Sequence, residues 1–551
     1  MSGTLRVLGI EGTAWAASAA VYDAAADSVV IETEAYRPDS GGIHPREAAE
    51  HMGDAIPDVV GRALDRAREL AAGDVARDSA PGDAEGGRRE PPVDAVAFSR
   101  GPGLGPCLRI VGTAARALAQ RLDVPLVGVN HMVAHLEIGR HRSGFDSPVC
   151  LNASGANAHV LAYRNGRYRV LGETMDTGVG NAIDKFTRHV GWSHPGGPKV
   201  EAAAADGSYV DLPYVVKGMD FSFSGIMSAA KQAYDDGTPV EDVCFALQEN
   251  VFAMLTEVSE RALSLTGSDE LVLGGGVGQN DRLRGMLREM CEQRDASFFA
   301  PEDRFLRDNA GMIAVLGAKM YRVGDTLAVA DSRVDPDFRP DEVPVTWRSG
   351  EAVGRPVPSE GTVEGAEATV SFTDEGVVKR RLPKSYRNPR LDERLRVERT
   401  REEARLTSEA RRHGVPTPVI RDVDPREATI VFEHVGAADL RDRLTERRVR
   451  DVGRHLATVH GAGFVHGDPT PRNVRVPDGE GPTYLIDFGL GYYTDDPEDF
   501  AMDLHVFTQS LAGTADDPDA LGAAFEDAYR AAGDERVLER LREIEGRGRY
   551  Q

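Results

Sequence analysis

The residues with the clearest chemistry lie late in the chain, where His466-Gly-Asp468 precedes Asn473 and then Asp487-Phe-Gly. In phosphoryl-transfer sites one Asp positions the hydroxyl acceptor, while an Asn and the Asp of Asp-Phe-Gly hold Mg²⁺ against the ATP phosphates. The step of five residues from Asp468 to Asn473 fits this pattern, and so does the step of 14 to Asp487. We therefore expect Asp468 to be the catalytic base, and Asn473 and Asp487 to bind Mg²⁺.

An ATP site also needs a loop over the phosphates and a cation that anchors them. Gly365-Ala366-Glu367 stands where such a loop is expected, although it is poorer in Gly than usual, and Lys379 follows on a predicted strand. Lys379 is one of only seven Lys in the chain, and its compact ammonium differs from the planar fork of Arg. Glu403, on a long charged helix, is the expected partner of Lys379.

The same region departs from ordinary protein kinases. Gly467 replaces the usual Arg of the catalytic loop, and no Ala-Pro-Glu segment follows Asp487. This leaves no room for an activation loop, so a peptide-binding platform is not expected. The pattern indicates a minimal atypical kinase or ATPase.

Two histidines in the first half, His131 and His135, are four residues apart on a predicted helix. Residues at this spacing share one helix face, which suits a divalent metal. Asp308 is a distant carboxylate that could complete the shell. The pair lacks the Glu of His-Glu-x-x-His, so a protease of that type would have no general base here.

Glycine turns with nearby carboxylates occur in the segments 176–185 and 194–201. Glycine lets the backbone approach a phosphate closely, and Asp184 and Glu201 could hold ribose hydroxyls. Ordinary turns with the same composition remain an alternative from the residues alone.

The elements that must position these residues are strand, glycine turn and helix units. A strand, a small-residue turn and a hairpin partner are expected near residues 5–22 and again near 149–164, which is a weak internal duplication. Such units predict an α/β sheet with phosphate-binding turns at the strand ends. Residues 331–359, rich in Pro, Asp and Glu, are interpreted as a linker between a first domain, 1–330, and a second, 360–551.

Bulk composition limits the possible protein classes. A chain of 551 residues is too long for one core. The chain has 89 acidic and 65 basic residues, with few Lys. This composition favours a protein that functions in high salt, although a genome of high GC content, which favours Arg and Ala, would give a similar composition. The four Cys are far apart, so neither a zinc knuckle nor a disulfide framework is indicated. Without a signal-like start or a run of about 18 apolar residues, we expect a cytoplasmic protein.

Nine motifs, in order along residues 4–325, carry a resemblance: GIEGTAW, GGIHPREAAEH, SRGPGLGPCLRIVG, VNHMVAH, GETMDTGVGNAIDKF, HPGGPKVE, DFSFSG, LVLGGGVGQN and RDNAGMIA. Together they resemble the tRNA threonylcarbamoyladenosine synthase subunit of the archaeal and eukaryotic KEOPS complex, formerly called O-sialoglycoprotein endopeptidase. The resemblance implies a two-lobed fold of the actin/sugar-kinase/Hsp70 type. It also implies transfer of threonylcarbamoyl from threonylcarbamoyl-AMP to the exocyclic amine of the anticodon-adjacent adenosine, in tRNAs that read ANN codons.

The resemblance also implies site residues. The metal, Fe²⁺ or alternatively Zn²⁺, would be held by His131, His135 and Asp308, with Asn152 where the family usually has Tyr. Ala156 likewise replaces a common Gly. The residues implied for the adenylate are Asn152, Ala153, Ser154, Gly155, Ala156, Asp184, Gly197, Glu201 and Asn280.

The second half, from about residue 360 to 551, resembles the small KEOPS atypical kinase, through the Lys379–Asp392 segment, Arg399-Thr-Arg-Glu-Glu-Ala, His-Gly-Asp and the basic C-terminal end. This resemblance implies a bilobal α+β domain that uses ATP and Mg²⁺ to support tRNA modification. An Arg-rich stretch at 380–401 either contacts tRNA or is a solvated helix face.

The whole chain is interpreted as a fusion of the two subunits, which fixes their stoichiometry. The expected partners are tRNA, other KEOPS subunits and an enzyme that supplies threonylcarbamoyl-AMP. Two alternatives remain: a metalloprotease fused to a signalling kinase, and a non-catalytic scaffold that binds nucleotides. The missing Glu argues against the first, and the complete set of ATP-site residues argues against the second.

Overall fold

The structure is a computed structural model that describes residues 5–36, 43–78, 91–155, 157–164, 166–348, 362–373 and 376–547. Its elements form two units. The strands of the first unit are β1 (Arg6–Glu11), β2 (Ala16–Asp23), β3 (Ser28–Ala35), β4 (Ala95–Gly101), β5 (Leu126–Asn130), β6 (Val149–Ala153), β7 (Ala158–Arg164), β8 (Arg167–Glu173), β9 (Val216–Lys217), β10 (Asp220–Phe221), β11 (Glu270–Gly274) and β12 (Ser297–Phe299).

Helices cover both faces of these strands. They are α1 (Pro45–Asp78), α2 (Gly105–Leu122), α3 (His131–Ser143), α4 (Val179–His189), α5 (Gly197–Ala204), α6 (Ser224–Asp235), α7 (Val240–Thr266), α8 (Asp281–Gln293), α9 (Asp303–Leu306) and α10 (Ala310–Arg322).

The first unit contains two sheets with the same topology. One has the order β3-β2-β1-β4-β5, and the other, written in the same direction, has the order β8-β7-β6-β11-β12. In each sheet the first three strands pair antiparallel and the last two add in parallel. The predicted two-lobed α/β architecture is therefore confirmed, with the duplication visible strand by strand. Parallel strands bring their carboxyl ends to one edge of each sheet, where ligand sites of α/β folds lie.

Helix α7 is unusual because nearly every residue from Val243 to Leu263 is buried. A surface helix would show a polar face, but α7 buries Glu249, Glu257, Glu260 and Arg261 together with its apolar residues. The second unit covers part of the polar side of α7 and supplies partners for Glu257, Glu260 and Arg261, whereas Glu249 pairs with Arg282 of α8.

The first part of the segment interpreted as a linker packs on the first unit. Val343 and Val345 are buried in a core of the first unit, and Phe338 and Trp347 pack against the same core. Because of these apolar contacts, residues 331–348 are part of the first unit. The remainder of the predicted linker, 349–359, lies outside the described residues.

The strands of the second unit are β13 (Thr362–Glu364), β14 (Ala368–Thr373), β15 (Gly376–Arg381), β16 (Ile420–Asp424), β17 (Thr429–Phe432), β18 (Ala438–Asp439), β19 (Phe464–Val465), β20 (Val474–Val476), β21 (Tyr484–Leu485) and β22 (Tyr492–Tyr493). Its helices are α11 (Pro389–Arg412), α12 (Glu446–Gly461), α13 (Pro497–Thr514), α14 (Pro518–Arg530) and α15 (Glu535–Arg547).

An antiparallel sheet of order β13-β14-β15-β17-β16 forms one part of this unit, beside α11. A mainly helical part follows, with its own apolar core under α12 to α15. Residues of the α11 region, Tyr386, Leu391 and Leu395, share a continuous core with α7 of the first unit. None of the described helices is both long enough and apolar enough to cross a membrane.

Candidate active sites in the two units

A three-residue cluster lies at the carboxyl end of β5. His131 and His135 stand one turn apart on α3, which Asn130 caps by accepting hydrogen bonds from the first turn. The Nε2 atoms of the two histidines lie 3.3 and 3.4 Å from Oδ1 of Asp308. The ligand atoms all lie within 4.8 Å of one another, so these residues could hold one metal ion.

Glu11, at the end of β1, is a member of this site that sequence reasoning missed. Its Oε2 lies 3.1 Å from Nδ1 of His131, and its Oε1 accepts a hydrogen bond from the Thr13 N–H (2.8 Å). A carboxylate bonded to the second ring nitrogen fixes the orientation of a metal-ligating imidazole. The signal was present in the acidic residue before Gly12, at the point where a buried strand ends.

Electrostatics around the cluster favour a cation. Burial alone would lower the pKa of His131, but Glu11 and Asp308 outweigh it and raise that pKa to about 10. Burial lowers the pKa of His135, and the two histidines hold the pKa of Asp308 well below its usual range. The two carboxylates thus attract positive charge, and a bound metal would replace the proton on His131.

Asn152, at the end of β6, lies beside this cluster. It is fully buried, its amide N–H donates to Met132 Sδ (3.6 Å), and its Oδ1 has no hydrogen-bond partner among the described residues. Gly275, at a φ of 84°, packs so closely that a Cβ there would stand 2.8 Å from this oxygen. An unpaired buried amide oxygen of this kind fits a further ligand to the cluster, because burial without a partner is costly.

The turn after β6 connects the cluster to the predicted adenylate residues. Ala153 ends the strand, and Ser154 and Gly155 pack on the start of α4, where the Asn181 N–H donates to Gly155 O (2.9 Å). Ala156 lies outside the described residues.

Asp184, in the middle of α4, lies beside the start of α5 at Gly197. Oδ1 of Asp184 accepts a hydrogen bond from the Gly196 N–H (2.7 Å), and Oδ2 lies 3.2 Å from Nδ1 of His194. A Cβ on Gly197 would meet no heavy atom of the described residues within 4 Å. The backbone at this helix N-terminus is thus open to a ligand, and helix N-termini attract phosphate.

Glu201 and Asn280 form the next part of the same surface. Glu201 accepts from the Asp281 N–H (2.9 Å) through Oε1. Asn280 caps α8 by accepting from the Arg282 N–H (2.9 Å), and its Nδ2 donates to Gln248 on α7 (3.2 Å). Asn280 therefore has a structural role in addition to any role in binding.

An aromatic pair between the two lobes was also missed. Trp15, in the turn after β1, stacks on His194 of the second lobe with ring centroids 5.1 Å apart and an interplanar angle of 8°. Trp15 follows Glu11 by four residues and His194 touches Asp184, so the stack lies between the metal cluster and the adenylate surface.

In the second unit, Lys379 on β15 lies between two carboxylates. Its Nζ is 2.8 Å from Glu403 Oε1 on α11 and 2.7 Å from Asp487 Oδ1. Burial raises the pKa of Asp487, but Lys379 and Arg381 outweigh it and lower that pKa to about 2. Asp487 is therefore ionised at neutral pH, as a Mg²⁺ ligand must be.

Asp468 and Asn473 face each other across the catalytic loop. Nδ2 of Asn473 donates to the carbonyl oxygen of Asp468 (2.8 Å) and to its Oδ2 (2.9 Å). Burial raises the pKa of Asp468 to about 6, while the charge of Arg261 opposes that increase. A pKa near the working pH suits a general base.

Asp503, on α13, fixes the catalytic loop and was not identified from the sequence. Its two carboxylate oxygens accept hydrogen bonds from the backbone N–H groups of His466 (2.6 Å) and Gly467 (2.9 Å). The only sequence signal was an acidic residue on the helix that follows the Asp487-Phe-Gly segment.

The predicted phosphate loop is held by the other unit. The Gly365 N–H donates to Ala368 O (2.8 Å), which closes a turn over Ala366 and Glu367. Glu367 forms ion pairs with Arg399 (2.8 Å) and with Arg261 of α7.

Part of the Arg-rich stretch of 380–401 faces the first unit, whereas Arg380, Arg390 and Arg401 are exposed. Arg387 and Arg399 pair with the buried Glu257 of α7, at 2.5 and 3.0 Å. Arg394 pairs with Asp211 (3.3 Å) and donates to Leu212 O (3.2 Å). These arginines hold the two units together, because they complement the carboxylates of α7 and its surroundings.

Comparisons with known proteins match both halves of the chain. The family described as TsaD, tRNA N6-adenosine threonylcarbamoyltransferase, matches residues 84–315. Along its full length the chain is similar to proteins named probable bifunctional tRNA threonylcarbamoyladenosine biosynthesis protein. The one from Natronomonas pharaonis is 72% identical over 99% of this chain and 100% of its own length. Those from Halobacterium salinarum and Methanosarcina acetivorans are 71% and 46% identical, each over 99% of both chains.

Proposed function

This chain belongs to the family of bifunctional tRNA threonylcarbamoyladenosine biosynthesis proteins, and we propose that its two units divide the two activities between them. The first unit is the tRNA N6-adenosine threonylcarbamoyltransferase. The second is an atypical Ser/Thr kinase or ATPase that supports the reaction. The haloarchaeal relatives agree with the acidic, Lys-poor composition expected for high salt.

The observation that carries the transferase assignment is the cluster of His131, His135 and Asp308, joined by Asn152 to the turn at 153–155. The proposed reaction takes place where the metal cluster meets the adenylate surface. The exocyclic amine of the adenosine beside the anticodon attacks the carbamoyl carbon of threonylcarbamoyl-AMP. The bond from that carbon to the phosphate oxygen breaks, AMP leaves with its electron pair, and the amine releases one proton to solvent. The base leaves its stack at low cost, because it lies in an anticodon loop.

The residues of the first unit bind and orient the donor. Asp184 and Glu201 hold the ribose hydroxyls, and the open backbone at Gly197 takes the phosphate, where the helix dipole favours negative charge. Glu11 holds the ring of His131 in place. A divalent cation, Fe²⁺ or Zn²⁺ for this donor set, would polarise the donor's carbonyl or phosphate.

The proposed ATP site of the second unit uses four side chains in separate roles. Lys379, held by Glu403, anchors the phosphates, Asn473 and Asp487 hold Mg²⁺, and Asp468 accepts the proton of the acceptor. The loop at 365–367 covers the phosphates. Because these groups lie together in the folded chain, the scaffold alternative has no observation in its favour.

The protease alternative is also disfavoured. Glu11 is the carboxylate beside the histidines that could serve as a base, but it is buried with both oxygens engaged, one with His131 and one with the Thr13 N–H. A peptide hydrolase needs a carboxylate free to activate water.

The test is to incubate the full chain, in concentrated KCl, with threonylcarbamoyl-AMP and unmodified tRNA, and then to look for threonylcarbamoyladenosine in the digested tRNA by mass spectrometry. The expected result is product that His131→Ala abolishes. A matched control is His189→Ala, a half-exposed histidine on α4 that pairs with Asp235 (2.8 Å).

Two other outcomes of this assay would change the assignment or limit it. Product only after addition of other KEOPS subunits and ATP would make the chain a subunit that depends on those partners, with the transferase assignment intact. No product under either condition would overturn the assignment.

A further inference from the structure

Helix α7 extends from the transferase site to the ATP site. Near its start, Gln248 accepts the hydrogen bond of Asn280, and near its end Arg261 pairs with Glu367 in the phosphate loop of the other unit. Gln248 and Arg261 are 13 positions apart, which corresponds to about 20 Å of helix. A residue of the transferase unit therefore reaches the proposed kinase centre.

Arg261 is held rigidly where it enters that centre. Its guanidinium pairs with Glu257 on the preceding turn (2.5 Å) and donates to the carbonyl oxygen of Gly218. Gly218, at a φ of 58°, lies against the catalytic loop, because a Cβ on it would stand 3.5 Å from the carbonyl oxygen of Gly467. Gly467 directly precedes Asp468, so Arg261 enters beside the proposed base.

A further carboxylate lies where Arg261 enters this centre. Glu367 belongs to the proposed phosphate loop, and it pairs with both Arg261 and Arg399. A carboxylate beside triphosphate would repel the nucleotide unless cations neutralised it. Arg261 and Arg399 provide that neutralisation, and they keep the pKa of Glu367 well below its usual value despite burial.

We propose that Arg261 is a positioning residue of the kinase active site, donated by the transferase unit, so that the ATP site is complete only when the two units are docked. It acts by holding Glu367, and with it the loop at 365–367, and by placing a fixed positive charge beside Asp468. The inference rests on the ATP site proposed above.

In the step that Arg261 supports, the oxygen of the acceptor hydroxyl or water forms a bond to the γ-phosphorus. The bond from that phosphorus to the bridging oxygen breaks, ADP leaves with the electron pair, and Asp468 takes the acceptor's proton. Loss of Arg261 leaves Glu367 less neutralised near the phosphates and releases one of the two arginines that hold the loop at 365–367.

The test uses the full chain with Arg261→Gln and Arg261→Lys, and measures ATP turnover against ATP concentration. We expect Arg261→Gln to reduce kcat/KM for ATP by about 100-fold, because a displaced phosphate loop misplaces the reacting groups. Part of this loss should be a rise in KM for ATP, because the loop at 365–367 is no longer held over the phosphates. Arg261→Lys keeps a positive charge that can pair with Glu367, so it should recover part of kcat/KM and part of the change in KM.

Lys384→Gln is the control for general weakening of the docked interface. Lys384 forms a similarly buried ion pair across the same interface, with Glu260 of α7 (2.5 Å), and does not pair with Glu367. It should leave kcat/KM and KM for ATP close to those of the unaltered chain. A kcat/KM that is unchanged in Arg261→Gln, or that falls equally in Lys384→Gln, would overturn the inference while the ATP site stands. No ATP turnover by the unaltered chain would overturn the ATP site itself, and the inference with it.

Discussion

The buried carboxylate of Glu257, in the interface between the two units, provides a test of how the units are held together. Glu257 is buried on α7, and its carboxylate pairs with Arg261 (2.5 Å), Arg387 (2.5 Å) and Arg399 (3.0 Å). It also accepts a hydrogen bond from the Tyr214 hydroxyl (2.6 Å). Glu257→Gln keeps the shape of the side chain but removes the charge that these groups share.

The expected magnitude follows from burial. Removing one partner of a buried ion pair costs about 3 to 5 kcal/mol, because the remaining charges stay buried without compensation. At an m value of about 3 kcal/mol per molar urea, the unfolding midpoint should fall by about 1 to 1.7 M. Burial raises the pKa of Glu257, but Arg399 and Arg261 outweigh it and leave that pKa below normal. The stabilisation is therefore present above the unfolded pKa and is lost as the pH falls through the folded one.

The assay is urea unfolding in concentrated KCl, followed by circular dichroism at neutral pH. Glu69→Gln is the control, because its ion pair with Arg66 is largely exposed on α1 and should contribute less than about 1 kcal/mol. If Glu257→Gln shifts the midpoint no more than Glu69→Gln does, the buried network does not hold the units together and the reasoning is refuted.

Three further predictions concern the two sites. His131→Ala should remove bound divalent metal, measured by elemental analysis, because only two of the three clustered ligands remain; undiminished metal would contradict the proposed ligands. Asp468→Asn should abolish ATP turnover and leave calorimetric binding of a threonylcarbamoyl-AMP analogue intact; loss of both would mean that the sites are not separable. Since the pKa of Asp468 is about 6, kcat/KM for ATP should fall about tenfold per pH unit below that value, and a flat profile down to about pH 5 would contradict its role as base.

Strand, glycine-turn and helix patterns predicted the α/β sheet and its weak duplication, whereas the two lobes and the transferase function were implied by the family resemblance. Motifs such as His131-Met-Val-Ala-His135 and His466-Gly-Asp468 work because local spacing fixes local geometry, whether on one helix face or in one loop. Asp308, which lies 173 residues beyond His135, was from the residues alone only a carboxylate that could complete the shell, and the family resemblance implied that it is a ligand.

The sequence did not reveal the residues whose roles depend on tertiary contacts. Glu11, Asp503 and the Trp15–His194 stack are single residues on elements distant in sequence from their partners, and no spacing rule connects them. The predicted linker shows the same difficulty, because polar composition concealed a few apolar residues, such as Val343 and Val345, that pack on the first unit.

The sequence by itself determined which chemistry each half carries, because that chemistry depends on residue types within short segments. Only the tertiary structure decided how the halves meet. The arginines of 380–401 could have faced solvent or tRNA, and Arg261 could have been any charge on a long helix. Their roles depend on a buried interface where Glu257 and Glu367 must be neutralised, and burial is a property of the folded chain.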